Sequence, residues 1–121
     1  MSQETMQGVL CMQKPAEFTS FDVIGKLRGI LHMRRLGHTG TLDPMATGVL
    51  PVLVGKAARA CDILPDQSKM YRATVQFGWE TDTEDVWGTR TAVYPEMHVT
   101  KEALDAVLPQ FVGAIQQVPP M

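Results

Sequence analysis

Residues 37–51 read Gly-His-Thr-Gly-Thr-Leu-Asp-Pro-Met-Ala-Thr-Gly-Val-Leu-Pro, and this stretch decides what the rest of the chain can be. Its glycines, prolines and threonines disfavour a helix and predict a loop that runs into a strand. Asp43 is its single carboxylate, and the proline behind it biases Asp43 to extended backbone. Rigid loops next to buried strands commonly carry catalytic residues. The local pattern leaves two interpretations open: a simple Asp-Pro turn, or an ionised carboxylate that acts as nucleophile or base.

The segments on either side of this loop alternate between strand and helix patterns. Apolar residues at helical spacing predict a helix over 20–33 with Phe21, Ile24, Leu27 and Leu31 facing inward, and Thr19 or Ser20 as its N-cap. The other predicted elements are strands at 8–15, 48–54 (with Pro51 at an edge or bulge), 69–77, 91–94 and 114–118, and helices at 56–64 and 100–111. We expect Thr100 to cap the last helix, with these side chains on its inner face: Ala103, Leu104, Val107, Leu108 and Phe111. The order lacks a regular strand–helix–strand repeat. We therefore expect an α+β fold with a mostly antiparallel, mixed sheet and flanking helices.

Composition bounds the class of protein. The 121 residues are 45% apolar and 20% charged, as in a soluble globular domain, and no apolar run is as long as a membrane span. With no signal peptide at the N-terminus, we expect a cytoplasmic location. Cys11 and Cys61 are expected to be buried, reduced thiols without metal-ligand spacing.

The charge distribution favours a local basic surface over a generally basic protein. The net charge is −2, which argues against a generic nucleic-acid binder. Four basic residues nevertheless fall within ten positions just before the loop: Lys26, Arg28, Arg34 and Arg35. By itself this cluster is explained equally well by a solvated helix face, and its position beside the loop favours a functional surface.

Several familiar chemistries do not fit the residues. The phosphate-binding loop pattern fails, because Gly55-Lys56 is followed by alanine and residue 50 is leucine. Glycoside hydrolysis needs a second carboxylate. Asp82, Glu84 and Asp85 could supply it in space, but nothing in the sequence places them near Asp43.

The motif and its companions resemble the TruB family of pseudouridine synthases. Residues 37–51 are similar to the family signature. Further stretches resemble the family in the same order along the chain: Gly8 to Pro15 with Ser20, Val54 to Arg59, Lys69-Met-Tyr71, and Gly78 with Thr81 to Asp85 and Gly88. The resemblance spans about residues 8–121.

This resemblance implies an RNA-modifying isomerase that converts uridine 55 in the TΨC arm of tRNA to pseudouridine, without cofactor or metal. Asp43 matches the nucleophilic aspartate, Tyr71 the tyrosine that stacks on the flipped-out base, and His38 the histidine that helps to hold the loop open. The partner is the TΨC stem-loop of tRNA. Candidate contacts to its backbone are Lys26, Arg34, Arg35, Lys69 and Arg72.

The resemblance also implies that residues 1–121 are the N-terminal portion of a catalytic domain. Family members continue with an arginine that pairs with the aspartate, and often with a C-terminal PUA domain. We therefore expect the 121 residues alone to be inactive, and the full-length enzyme to be a monomer. Two alternatives stay open: a guide-RNA-dependent relative, and a non-catalytic module that binds or folds tRNA.

Overall fold

The computed structural model of the chain describes residues 6–64 and 68–120. It divides into two compact units, Met1–Tyr71 and Arg72–Met121. In the first, the order is β1 (Gly8–Lys14), α1 (Ser20–Leu31), β2 (Leu36–His38), β3 (Gly48–Val54) and a 3₁₀ helix (Gly55–Asp62). In the second, it is β4 (Trp79–Thr81), β5 (Arg90–Val93), α2 (Lys101–Val107) and a short 3₁₀ helix (Leu108–Phe111). Helices and antiparallel sheets are thus combined as α+β, as predicted.

The first unit is built on a three-stranded antiparallel sheet in the order β1-β3-β2. Pro51 therefore lies in a central strand, and its predicted place in an edge strand is wrong. A residue in an antiparallel strand directs its N–H and C=O to the same neighbour. The carbonyl of Pro51 accepts a bond from Thr39 N at 3.1 Å, one residue beyond the end of β2. The position of the missing N–H therefore faces β2, beyond the last paired residue of that strand. The proline thus costs the sheet no ladder hydrogen bond.

Helix α1 covers one face of this sheet and forms the core with it. The buried side chains are those of Val23, Ile24, Leu27, Leu36, Leu50, Val52 and Val54. Phe21, predicted to face inward, is 64% exposed. The buried positions of the helix are 20, 23, 24 and 27, so the inner stripe is rotated away from Phe21, whose ring lies 5.7 Å from the guanidinium of Arg28.

The start of α1 is defined by a reciprocal cap. The hydroxyl of Thr19 accepts from the N–H of Asp22 at 3.0 Å, and the carboxylate of Asp22 accepts from the N–H of Thr19 at 2.8 Å. This capping box satisfies two N–H groups that the helix leaves unpaired. His32 takes a left-handed conformation (φ 51°), which ends the helix two residues before the predicted position.

In the second unit, β4 and β5 form a hairpin, so the predicted strand at 91–94 is confirmed within one residue. Thr100 caps α2 through a bond from Ala103 N, as predicted. The predicted inner face of this helix is wrong, because no side chain of α2 is buried.

The strands predicted at 69–77 and 114–118 are not formed. Both stretches are exposed, and neither pairs with another strand among the residues that the structure describes. An alternating pattern describes a half-buried surface, and a ladder forms only where a partner strand accepts it. In the same described portion of the chain, no helix combines the length and apolarity required to cross a bilayer.

Candidate active site

Asp43 lies in the loop between β2 and β3, and its side chain is exposed. A turn closes directly behind it, since Ala46 N donates to the carbonyl of Asp43 at 3.0 Å. Among the described residues, no side chain forms a hydrogen bond or ion pair with its carboxylate. The acid is thus held on a short, tight loop with its oxygens free to meet a substrate.

A buried lysine anchors the residue after Asp43. The side chain of Lys14 is fully buried at the end of β1, and its amino group donates to the carbonyls of Pro15 at 2.9 Å, Phe18 at 2.6 Å and Pro44 at 2.9 Å. A lysine has three donors, so these three carbonyls satisfy the buried group in full. One of the bonds ties Pro44 to the junction of β1 and α1, 30 residues away in sequence.

A buried serine anchors the residue before Asp43. Ser20, 3% exposed at the start of α1, accepts from Leu42 N at 3.0 Å, and its hydroxyl is 3.3 Å from Leu42 O. Ser20 was a candidate N-cap, but Thr19 performs that task, which leaves the serine hydroxyl for the loop. Both neighbours of Asp43 are therefore tied to the same place in the core, while the acid itself is exposed.

Sequence reasoning did not assign either anchor, although one signal was present. In β1 the partly buried residues Leu10 and Met12 alternate with exposed ones, and Lys14, two residues further on, lies on the same inward-facing side of the strand. A lysine in the core-facing row of a strand needs buried acceptors. No comparable signal marks Ser20, because its partner Leu42 is distant in sequence.

His38 ends β2 and directly precedes the motif loop. It pairs with Val52 of the core and is half-buried. Its Nδ1 is buried and, within the described ranges 6–64 and 68–120, has no hydrogen-bond partner. Unpaired buried nitrogens are uncommon in folded proteins. His38 thus lies at the entrance to the loop of Asp43, and one of its ring nitrogens is buried in the protein interior.

Of the two motif residues at 69 and 71, the structure brings one to the loop. A Cβ placed on Gly40 would lie 3.5 Å from Cε of Lys69, so the lysine stem passes beside the loop three residues from Asp43. Tyr71 is 51% exposed. No hydrogen bond or ring contact within the described part of the chain joins it to Asp43 or His38. The role of Tyr71 therefore stays a prediction.

The predicted basic residues have unequal surroundings. Lys26, Arg34 and Arg35 are exposed in the first unit, and Arg72 is exposed in the second. Arg28 is exposed as well; its Nε donates to the carbonyl of Arg34 at 3.1 Å, which leaves four further N–H donors on the guanidinium. Helix α1 and the loop that follows it thus present four exposed cations: Lys26, Arg28, Arg34 and Arg35.

The acidic stretch that could have supplied a second carboxylate organises its own loop in the second unit. One oxygen of Asp85 accepts from Thr83 Oγ1 at 2.7 Å, Trp87 N at 2.8 Å and Gly88 N at 3.1 Å. Asp82 accepts from Thr89 N at 2.8 Å. The bond from Thr83, with those from Trp87 and Gly88, holds the pKa of Asp85 below its usual value. The bonding of this loop therefore gives no support to an acid pair for glycoside hydrolysis.

The two cysteines are free, and only one is partly buried. Cys11 is exposed, contrary to prediction, because it alternates onto the face of β1 opposite the core. Cys61 is partly buried in the 3₁₀ helix; burial and then the neighbouring Asp62 raise the pKa of its thiol. In the described portion of the chain, no three His, Cys, Asp or Glu side chains are grouped closely enough to hold a metal ion.

With this geometry in place, comparison with known proteins defines the class. Residues 28–121 match the family described as TruB family pseudouridylate synthase (N terminal domain). The match covers more than half of the chain, which therefore belongs to the TruB family of pseudouridylate synthases.

Two relatives and one solved structure extend the comparison. The chain is 49% identical over 114 residues to tRNA pseudouridine synthase B of Synechococcus sp., covering 94% of this chain and 38% of the relative. It is 45% identical over 119 residues to the Lactococcus lactis subsp. lactis protein of the same name, covering 98% of this chain and 36% of the relative. In structure it is similar to a chain of a Cbf5-Nop10-Gar1 complex, with a TM-score of 0.57, 28% identity, and coverage of 94% of this chain and 29% of that one. The chain thus spans less than two fifths of the curated relatives it matches.

Proposed function

We propose that this sequence carries the nucleophilic loop of an enzyme that isomerises uridine 55 in the TΨC arm of tRNA to pseudouridine. The observation that carries the proposal is the geometry of Asp43: an exposed carboxylate whose two neighbours are both tied to buried side chains. Such restraint fits a group that must meet a reacting atom in one geometry. Family membership and relatives named tRNA pseudouridine synthase B support the reaction and the substrate class.

In the proposed reaction, the carboxylate of Asp43 acts on the target nucleotide and the bond between N1 of uracil and C1′ of ribose breaks. The detached base rotates, C5 bonds to C1′, and the proton on C5 leaves to solvent while N1 takes one up. The product is an isomer of the substrate, so atoms and electrons balance without an oxidant or reductant.

Chemistry on a base in a folded RNA requires the base to leave its stack, at a cost of a few kcal/mol. We propose that Tyr71 offsets this cost by stacking on the uracil, which is worth about 1–3 kcal/mol. His38, half-buried at the entrance to the loop, would help to hold the loop open once the base has flipped. Lys26, Arg34, Arg35, Lys69 and Arg72 would contact phosphates, and the stem of Lys69 beside Gly40 supports its place near the substrate.

The proposal is tested by Asp43→Asn in the protein as its gene encodes it. Tritium release from 5-tritiated uridine in a tRNA transcript should fall by at least about 1,000-fold, equivalent to about 4 kcal/mol of transition-state stabilisation. Binding of the same transcript in a filter assay should stay within about threefold. Asp62→Asn, which changes another exposed aspartate of the same unit, is the matched control and should behave as wild type.

The same experiment separates the alternative functions. A non-catalytic module that binds or folds tRNA would release no tritium with either aspartate or asparagine at position 43. Loss of binding together with turnover would assign Asp43 a structural role. The similarity to a chain of a Cbf5-Nop10-Gar1 complex makes action within an assembly the second candidate. Turnover of naked tRNA without any guide RNA or protein partner would exclude it.

We further propose that residues 1–121 alone turn over tRNA poorly or not at all. The relatives are more than twice as long, and the family resemblance places the arginine partner of Asp43 after residue 121. Turnover by the 121 residues at the rate of a relative of full length would refute this part of the proposal.

A further inference from the structure

Gly37, the first residue of the motif, lies unusually close to the 3₁₀ helix. A Cβ placed on Gly37 would lie 2.8 Å from Sγ of Cys61, a separation that real Cβ atoms essentially never show. The next nearest atoms, Cβ and O of Ala58, would both be at an ordinary 3.7 Å. The thiol of Cys61 is therefore the one close obstacle to a side chain at this position among the described residues.

The glycine at position 37 is required by space and not by backbone conformation. Its φ angle lies outside the left-handed region, unlike those of Gly40 at 62° and Gly55 at 67°. An alanine could adopt the backbone of Gly37 without strain. What excludes it is the sulfur atom that lies over the bare Cα.

Gly37 lies in β2, and the pairing of β2 with buried residues of β3 limits how far β2 can move. Gly37 pairs with Leu53, which is 3% exposed, and the next residue, His38, pairs with the fully buried Val52. Paired side chains in an antiparallel sheet lie on the same face. The thiol therefore packs on the Leu53 face of β2, and the side chain of His38 lies on the opposite face, toward the core and α1.

The 3₁₀ helix is itself fixed to the strand. Gly55 N, at its start, donates to the carbonyl of Arg35 at 2.9 Å, directly before β2. This bond holds the start of the helix next to β2. A larger group on either side of the contact should therefore push β2 toward the core and carry His38 with it.

We infer that Gly37 is a positioning residue: its bare Cα leaves the room that the thiol of Cys61 occupies, and a side chain there would displace β2 and, through it, His38. The consequence for catalysis rests on the proposed function, whereas the contact itself does not. The relevant property of Cys61 is its size, so its redox chemistry plays no part.

The test is a rescue in the protein as its gene encodes it, with Gly37→Ala, Cys61→Ala and the double variant. Gly37→Ala should lower kcat/KM on tRNA by about 10- to 100-fold, the range expected when a site residue is displaced by up to about 1 Å. Cys61→Ala should stay within about threefold of wild type. Because the sulfur is then absent, the double variant should return to within about threefold of Cys61→Ala.

A second readout does not depend on activity. The imidazole Cε1–H signal of His38 in a ¹H–¹³C NMR spectrum should shift in Gly37→Ala and return in the double variant. Gly29→Ala, at a helix position with nothing within 4 Å of an added Cβ, is the matched control and should leave this signal and kcat/KM unchanged.

Each outcome decides the inference. A double variant as impaired as Gly37→Ala, or a harmless Gly37→Ala, would overturn it. If Gly37→Ala fails to fold, recovery of folding in the double variant counts as rescue, and its absence overturns the inference. If the wild-type protein isomerises no tRNA, the proposed function fails, while the NMR shift and its rescue still test the contact.

Discussion

Lys14 and Ser20 anchor the Asp43 loop, and we predict that removing one anchor lowers stability more than it lowers turnover. Lys14→Met keeps most of the buried volume but removes all three donors. The carbonyls of Pro15, Phe18 and Pro44 then lose their partner. At about 1 kcal/mol for each of these part-buried hydrogen bonds, the free energy of unfolding should fall by about 3 kcal/mol. For a chain of this size, that lowers the unfolding midpoint by roughly 10 °C.

The effect on turnover should be smaller than the effect on stability. In Lys14→Met the serine hydroxyl still holds Leu42, and in Ser20→Ala the lysine still holds Pro44. One remaining anchor should keep Asp43 near its place, so each single change should lower kcat/KM by less than about tenfold, or about 1.4 kcal/mol. In the double variant neither neighbour is held, and we expect a loss larger than the product of the two single losses.

The assay is tritium release from tRNA at a temperature well below the unfolding midpoint of each variant, combined with urea unfolding. Lys56→Met, which changes an exposed lysine of the same unit, should alter stability by less than about 0.5 kcal/mol. Turnover abolished in Lys14→Met with an unchanged unfolding midpoint would show that Lys14 takes part in the chemistry. A double variant whose losses simply multiply would show that the two anchors act independently.

Three further predictions concern the substrate surface and the first helix. Tyr71→Phe should keep most of the affinity for the flipped base, whereas Tyr71→Ala should lose about 1–3 kcal/mol of stacking, measured as kcat/KM; equal losses in both would remove the stacking role. Arg35→Ala should lower the slope of log K against log salt for tRNA by about 1, while Lys101→Ala, whose amine pairs with a carboxylate of its own helix, should leave it unchanged. The hydrogen bonds from Thr19 lower the pKa of Asp22 from its usual 3.8. The stability from this carboxylate is therefore complete well above pH 3.8 and is lost as the pH falls below it toward the folded-state pKa. Wild-type and Asp22→Asn unfolding midpoints should differ at pH 7 and converge as the pH falls; a gap that stays constant down to the most acidic pH at which the protein is still folded would contradict this.

Most of the secondary structure of the first unit could be predicted from local sequence patterns. The bounds of β1 and β3, the start of α1 and the loop that holds Asp43 all follow from patterns within about ten residues. The segments that failed, 69–77 and 114–118, have strand-like alternation as well. An alternating pattern predicts which side chains would share a face of a strand. Whether the strand forms depends on a partner strand that supplies the hydrogen-bond ladder, and that partner is distant in sequence.

The sequence by itself determined that a stiff loop presents one carboxylate beside a buried strand, because proline, glycine and alternating apolar residues act on their immediate neighbours. Only the tertiary structure decided what holds that carboxylate. Ser20 bonds to Leu42 across 22 residues and Lys14 bonds to Pro44 across 30 residues, so both neighbours of Asp43 are held by distant parts of the chain. The thiol of Cys61 likewise lies against Gly37, which is distant in sequence. Such contacts leave almost no signal in the periodicity of the sequence, because each one forms where the packing of the core brings two distant backbone segments together.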